Sequence, residues 1–162
     1  MFDGTTETFE KLKRPDTVVV YPVLPDGRII LTDQEQPGKK PFLGATGGRV
    51  DEGEEILEAA KRELLEESGY KAEKFILWDA QQPVGKIDWA IYTFIAKGLT
   101  KVAGPDLDPG ERITLKPVTF DEFLEMGANE RFWEKAIAIR LLEAKLNPEN
   151  KEELRKSFSP EY

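Results

Sequence analysis

Residues 48–70 read GRVDEGEEILEAAKRELLEESGY, and this stretch decides how the rest of the chain is understood. Its centre predicts a helix over about residues 54–68. Ile56, Leu57, Ala60 and Leu64 recur at helical spacing and give that helix an apolar stripe. Asp51 followed three residues later by Glu54 resembles a capping box, and Gly69 stands where a left-handed residue ends a helix. Glu63, Glu66 and Glu67 are related by i,i+3 and i,i+4 steps, so their carboxylates share one face. Such like charges repel by about 0.2–0.5 kcal/mol per i,i+4 pair, and a divalent cation reverses that sign. An oxygen-only donor set suits Mg²⁺. Arg62 lies beside this face and is expected to pair with Glu54 or Glu58. Gly47-Gly48, just before the helix, lets backbone approach an ion and offers a carbonyl oxygen.

Working outward, residues 17–23 (TVVVYPV) are rich in β-branched side chains and read as a buried strand. Residues 28–32 (RIILT) read as its hairpin partner across Pro25-Asp26-Gly27. Residues 34–49 turn to Gly, Pro and Lys and read as a long loop, which more often serves function than packing. Further strands are expected at 74–80, 89–97 and 113–120, with a loop at 104–110. A short helix at 121–126 should follow, then a long one from Asn129 as N-cap to Leu146, with Trp133 on its apolar face. Residues 1–15 read as an N-terminal extension and 147–162 as a charged tail. Residues 16–146 are then one α/β (α+β) domain around a mixed sheet.

Composition narrows the chemistry. The 162 residues carry 23 Lys and Arg against 31 Asp and Glu, a formal net charge of −8. Cys and His are both absent, which removes disulfides, thiol nucleophiles, Ser-His-Asp chemistry and the usual zinc sites. Acid–base and metal chemistry must therefore come from carboxylates, Lys, Tyr or backbone. An acidic chain is poorly suited to long nucleic acid. With no signal-like or membrane-length apolar stretch, a cytoplasmic protein without a membrane partner is expected.

Gly48, Glu54, Arg62, Glu63, Leu64, Glu66, Glu67, Gly69 and Tyr70 fit the pattern G-x5-E-x7-R-E-U-x-E-E-x-G-U, where U is bulky and apolar. Its seven identities arise by chance in roughly 1 in 10⁵ chains of such composition. The match resembles the signature of the Nudix hydrolases. Tyr70 departs from the usual Ile, Leu or Val but keeps the bulk. The resemblance implies an α/β/α sandwich that hydrolyses a nucleoside diphosphate linked to another group, using Mg²⁺ or Mn²⁺. Glu63, Glu66, Glu67 and the Gly47 carbonyl become metal ligands, and Glu54 fixes Arg62, which holds the glutamates. Glu66, Arg62 and Glu54 are therefore counted with the catalytic set.

Within the branch resembling ADP-ribose pyrophosphatases, a general base often comes from a loop after the motif. Glu111 is the candidate here, with Asp108 second. The Gln-x-Arg and Glu-Leu-Pro-Ala-Gly-like segments of that branch are replaced by Gln34-Glu35-Gln36 and Gly44-Ala45-Thr46-Gly47-Gly48. ADP-ribose or a nucleotide sugar is the leading substrate, a (d)NTP or dinucleoside polyphosphate the alternative. A non-catalytic nucleotide-sensing module is a further one, and an interaction scaffold with a merely solvated acidic helix is another. Trp89, Phe42, Trp78 and Tyr92 are candidates to stack a base, with core packing as their other role. Arg49, Lys39, Lys40 and Lys86 are candidates to meet phosphates. Trp133 is expected to be structural. A homodimer is expected by the same resemblance.

Overall fold

The computed structural model describes residues 1–2, 4–107 and 109–161. In chain order its elements are β1 (Leu12–Lys13), β2 (Thr17–Pro22), β3 (Ile29–Glu35), β4 (Phe42–Gly44), β5 (Thr46–Arg49), α1 (Ile56–Ser68) and β6 (Tyr70–Gln81). There follow β7 (Ile87–Asp88), β8 (Ile91–Lys101), β9 (Arg112–Val118), α2 (Phe120–Glu125), a 3₁₀ turn at Met126–Ala128, α3 (Lys135–Leu146) and α4 (Pro148–Ser157).

The valine run is central to the architecture. β2 sits inside a four-stranded sheet of order β5-β2-β8-β6, antiparallel to β5 and parallel to β8. Val18 and Val20 pack with Ala59, Ala60 and Leu64 of α1. Val19 and Tyr21 point the other way, into a larger core shared with a second sheet of order β4-β3-β9 and with α2, α3 and α4. Both faces of β2 are covered, which is why it reads as a continuous apolar run rather than an alternating one. The result is a mixed α+β domain with helices on either side of the sheet. Among the described residues, no helix is long and apolar enough to cross a membrane.

Several expectations are corrected. The turn at residues 25–27 forms, with Leu24 N–H donating to Arg28 O, but the ladder stops at the Val23–Ile29 bridge. Thereafter β2 and β3 diverge into different sheets instead of pairing as a hairpin. The expected loop at 34–49 contains β4 and β5, since Thr46–Arg49 can pair with β2 despite its two glycines. The last long helix starts at Lys135, not after Asn129, because Phe132 bridges to Leu43 in extended conformation. Leu57 is 40 % exposed and lies off the buried stripe of α1. Residues 148–157 form α4, capped by the Asn147 side chain, and Leu154 and Phe158 enter the main core. Within the stretch read as a charged tail, residues 148–157 thus form a helix packed on the core. At the other end of the chain, Leu12–Lys13 pairs with Ile87–Asp88.

Candidate active site

β5 acts as a ruler along one wall of a cavity of about 690 Å³. At Ala45, just before the strand, the backbone N–H donates to Glu134 Oε1 (3.2 Å). Gly47 N–H donates to Glu67 Oε2 (2.8 Å). Gly48 faces Glu63 so closely that a Cβ there would stand 2.3 Å from Glu63 Oε1. The Arg49 carbonyl accepts from Arg62 Nη2 (2.9 Å). Gly47 itself has φ +154° and a Cβ would meet the Val18 carbonyl at 2.1 Å, so only glycine fits. Gly48 lets α1 bring Glu63 against the strand, and Gly47 lets β5 lie close against β2.

Arg62 organises the acidic face. Its Nε and Nη2 hold both oxygens of Glu54 at 2.9 Å, and its Nη1 donates to Glu63 Oε1 (2.8 Å) and Glu66 Oε2 (3.1 Å). The expected Arg62–Glu54 pair is present, whereas Glu58 pairs with Lys61. Glu54 also accepts from the Asp51 N–H (3.0 Å), so one half of the anticipated capping box forms, ahead of a helix whose N-cap is Glu55. Gly69 ends α1 in the left-handed region, φ +70°.

The electrostatics follow from burial. Desolvation pushes the Glu67 carboxyl up to about 8, reinforced by the charges of Glu63, Glu111 and Glu134 and opposed by the Gly47 N–H. Desolvation also raises Glu63, against the pull of Arg62. The Arg62 hydrogen bonds hold Glu54 below the usual carboxylate range, and Arg62 is raised in turn, chiefly by Glu54. Among the described residues, no three carboxylates converge into a ready-made metal cluster: Arg62 draws Glu63 and Glu66 to itself while Gly47 draws Glu67. The donor set nonetheless suits a hard divalent cation. Glu63, Glu66, Glu67 and the glycine backbone all line this cavity, are oxygen-only, and include two carboxylates held in a desolvated place where positive charge would stabilise them.

Glu111 lines the same cavity. The loop that carries it is pinned to α1 where Asp106 N–H donates to the Glu66 carbonyl (2.7 Å). Gln36 Nε2 donates to Glu111 Oε1 (3.1 Å) and to Gln34 Oε1 (3.2 Å), and Lys39 Nζ donates to Gln36 Oε1 (2.6 Å). Asp108 lies outside the described residues. Of the proposed substrate contacts, Phe42 and Arg49 line the cavity. Trp89 does not: its indole N–H donates to Thr17 Oγ1 (3.0 Å) and the Arg14 guanidinium covers its ring at 4.1 Å. Trp78 packs edge-on against Tyr21 and Phe158, and Tyr92 packs beside α1. Lys39 reaches the cavity, but Lys40 and Lys86 are not among its lining residues.

Trp133, expected to be structural, and Glu134, which the sequence did not single out, also line the cavity. The extended segment at Phe132 sends alternate side chains to opposite sides, so Phe132 is fully buried while Trp133 is 55 % exposed at the cavity. A bulky aromatic pair just before the shortened helix was the available signal.

Comparisons with known proteins agree with this geometry. A family model described as the NUDIX domain matches residues 13–154. The chain is 31 % identical over 149 residues to a methanol dehydrogenase activator from Bacillus methanolicus, covering 87 % of this chain and 79 % of that protein. It is 29 % identical over 148 residues to an ADP-ribose pyrophosphatase from Bacillus subtilis (strain 168), covering 88 % and 80 %. Among solved structures, an ADP compounds hydrolase superposes with a TM-score of 0.70 at 22 % identity, covering 89 % of this chain and 80 % of the other. With a signature helix on a glycine-lined strand and a family match across most of its length, the chain belongs to the Nudix family and is a Nudix hydrolase.

Proposed function

We propose that this protein hydrolyses the pyrophosphate bond of nucleoside diphosphate derivatives, ADP-ribose or a nucleotide sugar foremost, with Mg²⁺ or Mn²⁺. The observation that carries this reading is that Glu63, Glu66 and Glu67 line one cavity together with Gly47, Gly48 and Glu111. The similarity to an ADP-ribose pyrophosphatase supports the substrate class. Glu63, Glu66, Glu67 and the Gly47 carbonyl would hold the cation. When bound, it supplies charge neutralisation and Lewis acidity at the anhydride.

The chain's own groups do the rest. Arg62, fixed by Glu54, positions Glu63 and Glu66. Glu111, held by Gln36, takes a proton from the attacking water at a carboxylate oxygen. The water oxygen bonds to one phosphorus, the bridging oxygen leaves with its electron pair on the other phosphate, and two monophosphate products result. Such phosphoryl chemistry depends on placement and electrostatics, so a chain without histidine can perform it. The proposal includes a cytoplasmic location and a homodimer, which fractionation and solution mass measurement test.

The functional test is a substrate panel: ADP-ribose, nucleotide sugars, dinucleoside polyphosphates and (d)NTPs, each with Mg²⁺, with Mn²⁺ and with EDTA. Monophosphate release that needs the metal and collapses in Glu67→Gln, with the fold intact, supports the reading. Thermal stabilisation by nucleotide without product over hours would favour a sensing module instead.

A further inference from the structure

The cavity has two unlike ends. Along β5 the Arg49 end is polar and charged, bounded by Arg14, Thr17 and Arg62. At the Ala45 end Phe42, Trp133 and Lys39 stand beside the buried Glu134 carboxyl. From Gly47, which holds Glu67, to Ala45 is two residues of extended chain, about 7 Å, a span of the order of one sugar ring. A planar group joined through a sugar to a diphosphate at the carboxylates therefore arrives at the aromatic end.

That end is built as a platform. Trp133 is 55 % exposed, although its neighbour Phe132 is fully buried. Its ring is backed by Phe42 at 4.9 Å between centroids with the planes 38° apart, and Phe42 is itself 7 % exposed and so fixed in the core. Lys39 Nζ lies over both rings, 5.0 Å from the Trp133 centroid and 5.6 Å from that of Phe42, and is tied to Gln36. The other two tryptophans do not line the cavity: Trp78 is packed edge-on against Tyr21 and Phe158, and Trp89 donates to Thr17 beneath the Arg14 guanidinium. A large aromatic left exposed at a cavity lined mostly by polar and charged residues marks a binding surface rather than packing. The nearby lysine argues against a cationic ring.

We propose that the exposed face of Trp133, backed by Phe42 and flanked by Lys39, seats the neutral nucleobase of the substrate. This rests on the reading of the cavity as a nucleoside diphosphate site. It fixes the substrate's direction, with the base toward the N-terminal end of α3 and the group beyond the diphosphate toward Arg14 and Arg49.

Two measurements test it. First, AMP is titrated into wild-type protein, Trp133→Phe and Trp133→Ala with tryptophan fluorescence as readout, and ribose 5-phosphate serves as the base-free control. AMP should quench wild-type emission and leave Trp133→Phe unquenched, while ribose 5-phosphate quenches neither. Second, KM is measured on the best substrate of the panel. Trp133→Ala should raise KM roughly 5- to 150-fold, the worth of one stacked base, with kcat within about threefold, and Trp133→Phe should restore most of the loss. Quenching that persists in Trp133→Phe, or the absence of any quenching of wild type by AMP, overturns the proposal. So does an unchanged KM in Trp133→Ala. If wild type quenches with AMP through Trp133 yet hydrolyses nothing in the panel, the pyrophosphatase reading fails and the base seat stands.

Discussion

Glu134 is the most exposed point of this account to a quantitative test. Its carboxyl lies against Gly44 and Ala45; Oε1 accepts the Ala45 N–H, and Oε2 is buried without a hydrogen-bond partner among the described residues. Desolvation raises this group to about 7 from an ordinary 4.5, against the pull of the Ala45 and Glu134 N–H groups and of Lys135. Below about pH 4.5 the group is protonated in both folded and unfolded chains. Between 4.5 and 7 the folded state keeps a proton that the unfolded state has released, so stability falls as pH rises. The interval is 7 − 4.5 = 2.5 pH units, which at about 1.36 kcal/mol per unit makes the loss at most about 3 kcal/mol by pH 8. Glu134→Gln keeps the shape and cannot ionise. Urea denaturation in EDTA at pH 4.5 and pH 8 should show the variant near wild type at the lower pH and more stable at the higher, by up to about 3 kcal/mol. Glu67 titrates in the same direction, but it is present in both proteins, so the difference between them isolates Glu134 except for their mutual repulsion. If wild type and Glu134→Gln lose stability in parallel between the two pH values, the carboxyl is not held neutral by its surroundings and the reasoning fails.

Two further expectations follow from the packing and from the site. Glu111→Gln should lower kcat by roughly 10²–10⁴-fold, the usual worth of positioned proton transfer; wild-type turnover in that variant removes Glu111 from the mechanism. Phe158, 3 % exposed and stacked among Tyr21, Trp78 and Phe123, anchors α4. Phe158→Ala should cost about 3–5 kcal/mol in chemical denaturation, whereas a C-terminal segment detached from the core would lose next to nothing.

What could be read without coordinates, and what could not, divides along physical lines. α1 and its C-cap were legible because a helix is specified locally: the i,i+3 and i,i+4 spacing of Glu63, Glu66 and Glu67 puts them on one face in any context, and Gly69 announces its own turn. The Arg62–Glu54 pair was legible for a similar reason, since two turns of chain separate the partners. Strand pairing was not. β2 and β3 look like a hairpin from their turn, yet β2 finds a parallel partner in β8, more than 70 residues on, and no local signal carries that choice. β5 was hidden because Thr46-Gly47-Gly48-Arg49 has poor strand propensity; Gly48 leaves room for Glu63, and Gly47 for the close approach of the Val18 carbonyl. Trp133 was misplaced because the helix was started too early, which turned an extended residue facing the cavity into one on an apolar helical face. α4 reads as a charged tail because only Leu154 and Phe158 face inward, and two apolar residues in a charged run are a faint stripe.

The central claim is that the acidic face of α1 holds hard divalent cations beside the glycine backbone. Mn²⁺ titrated in the presence of AMP, with free Mn²⁺ followed by electron paramagnetic resonance, addresses it directly in wild type and in a Glu63→Gln, Glu66→Gln, Glu67→Gln triple variant whose circular dichroism is unchanged. Wild type should deplete the free-ion signal and the triple variant should not. Equal depletion by both proteins would contradict it.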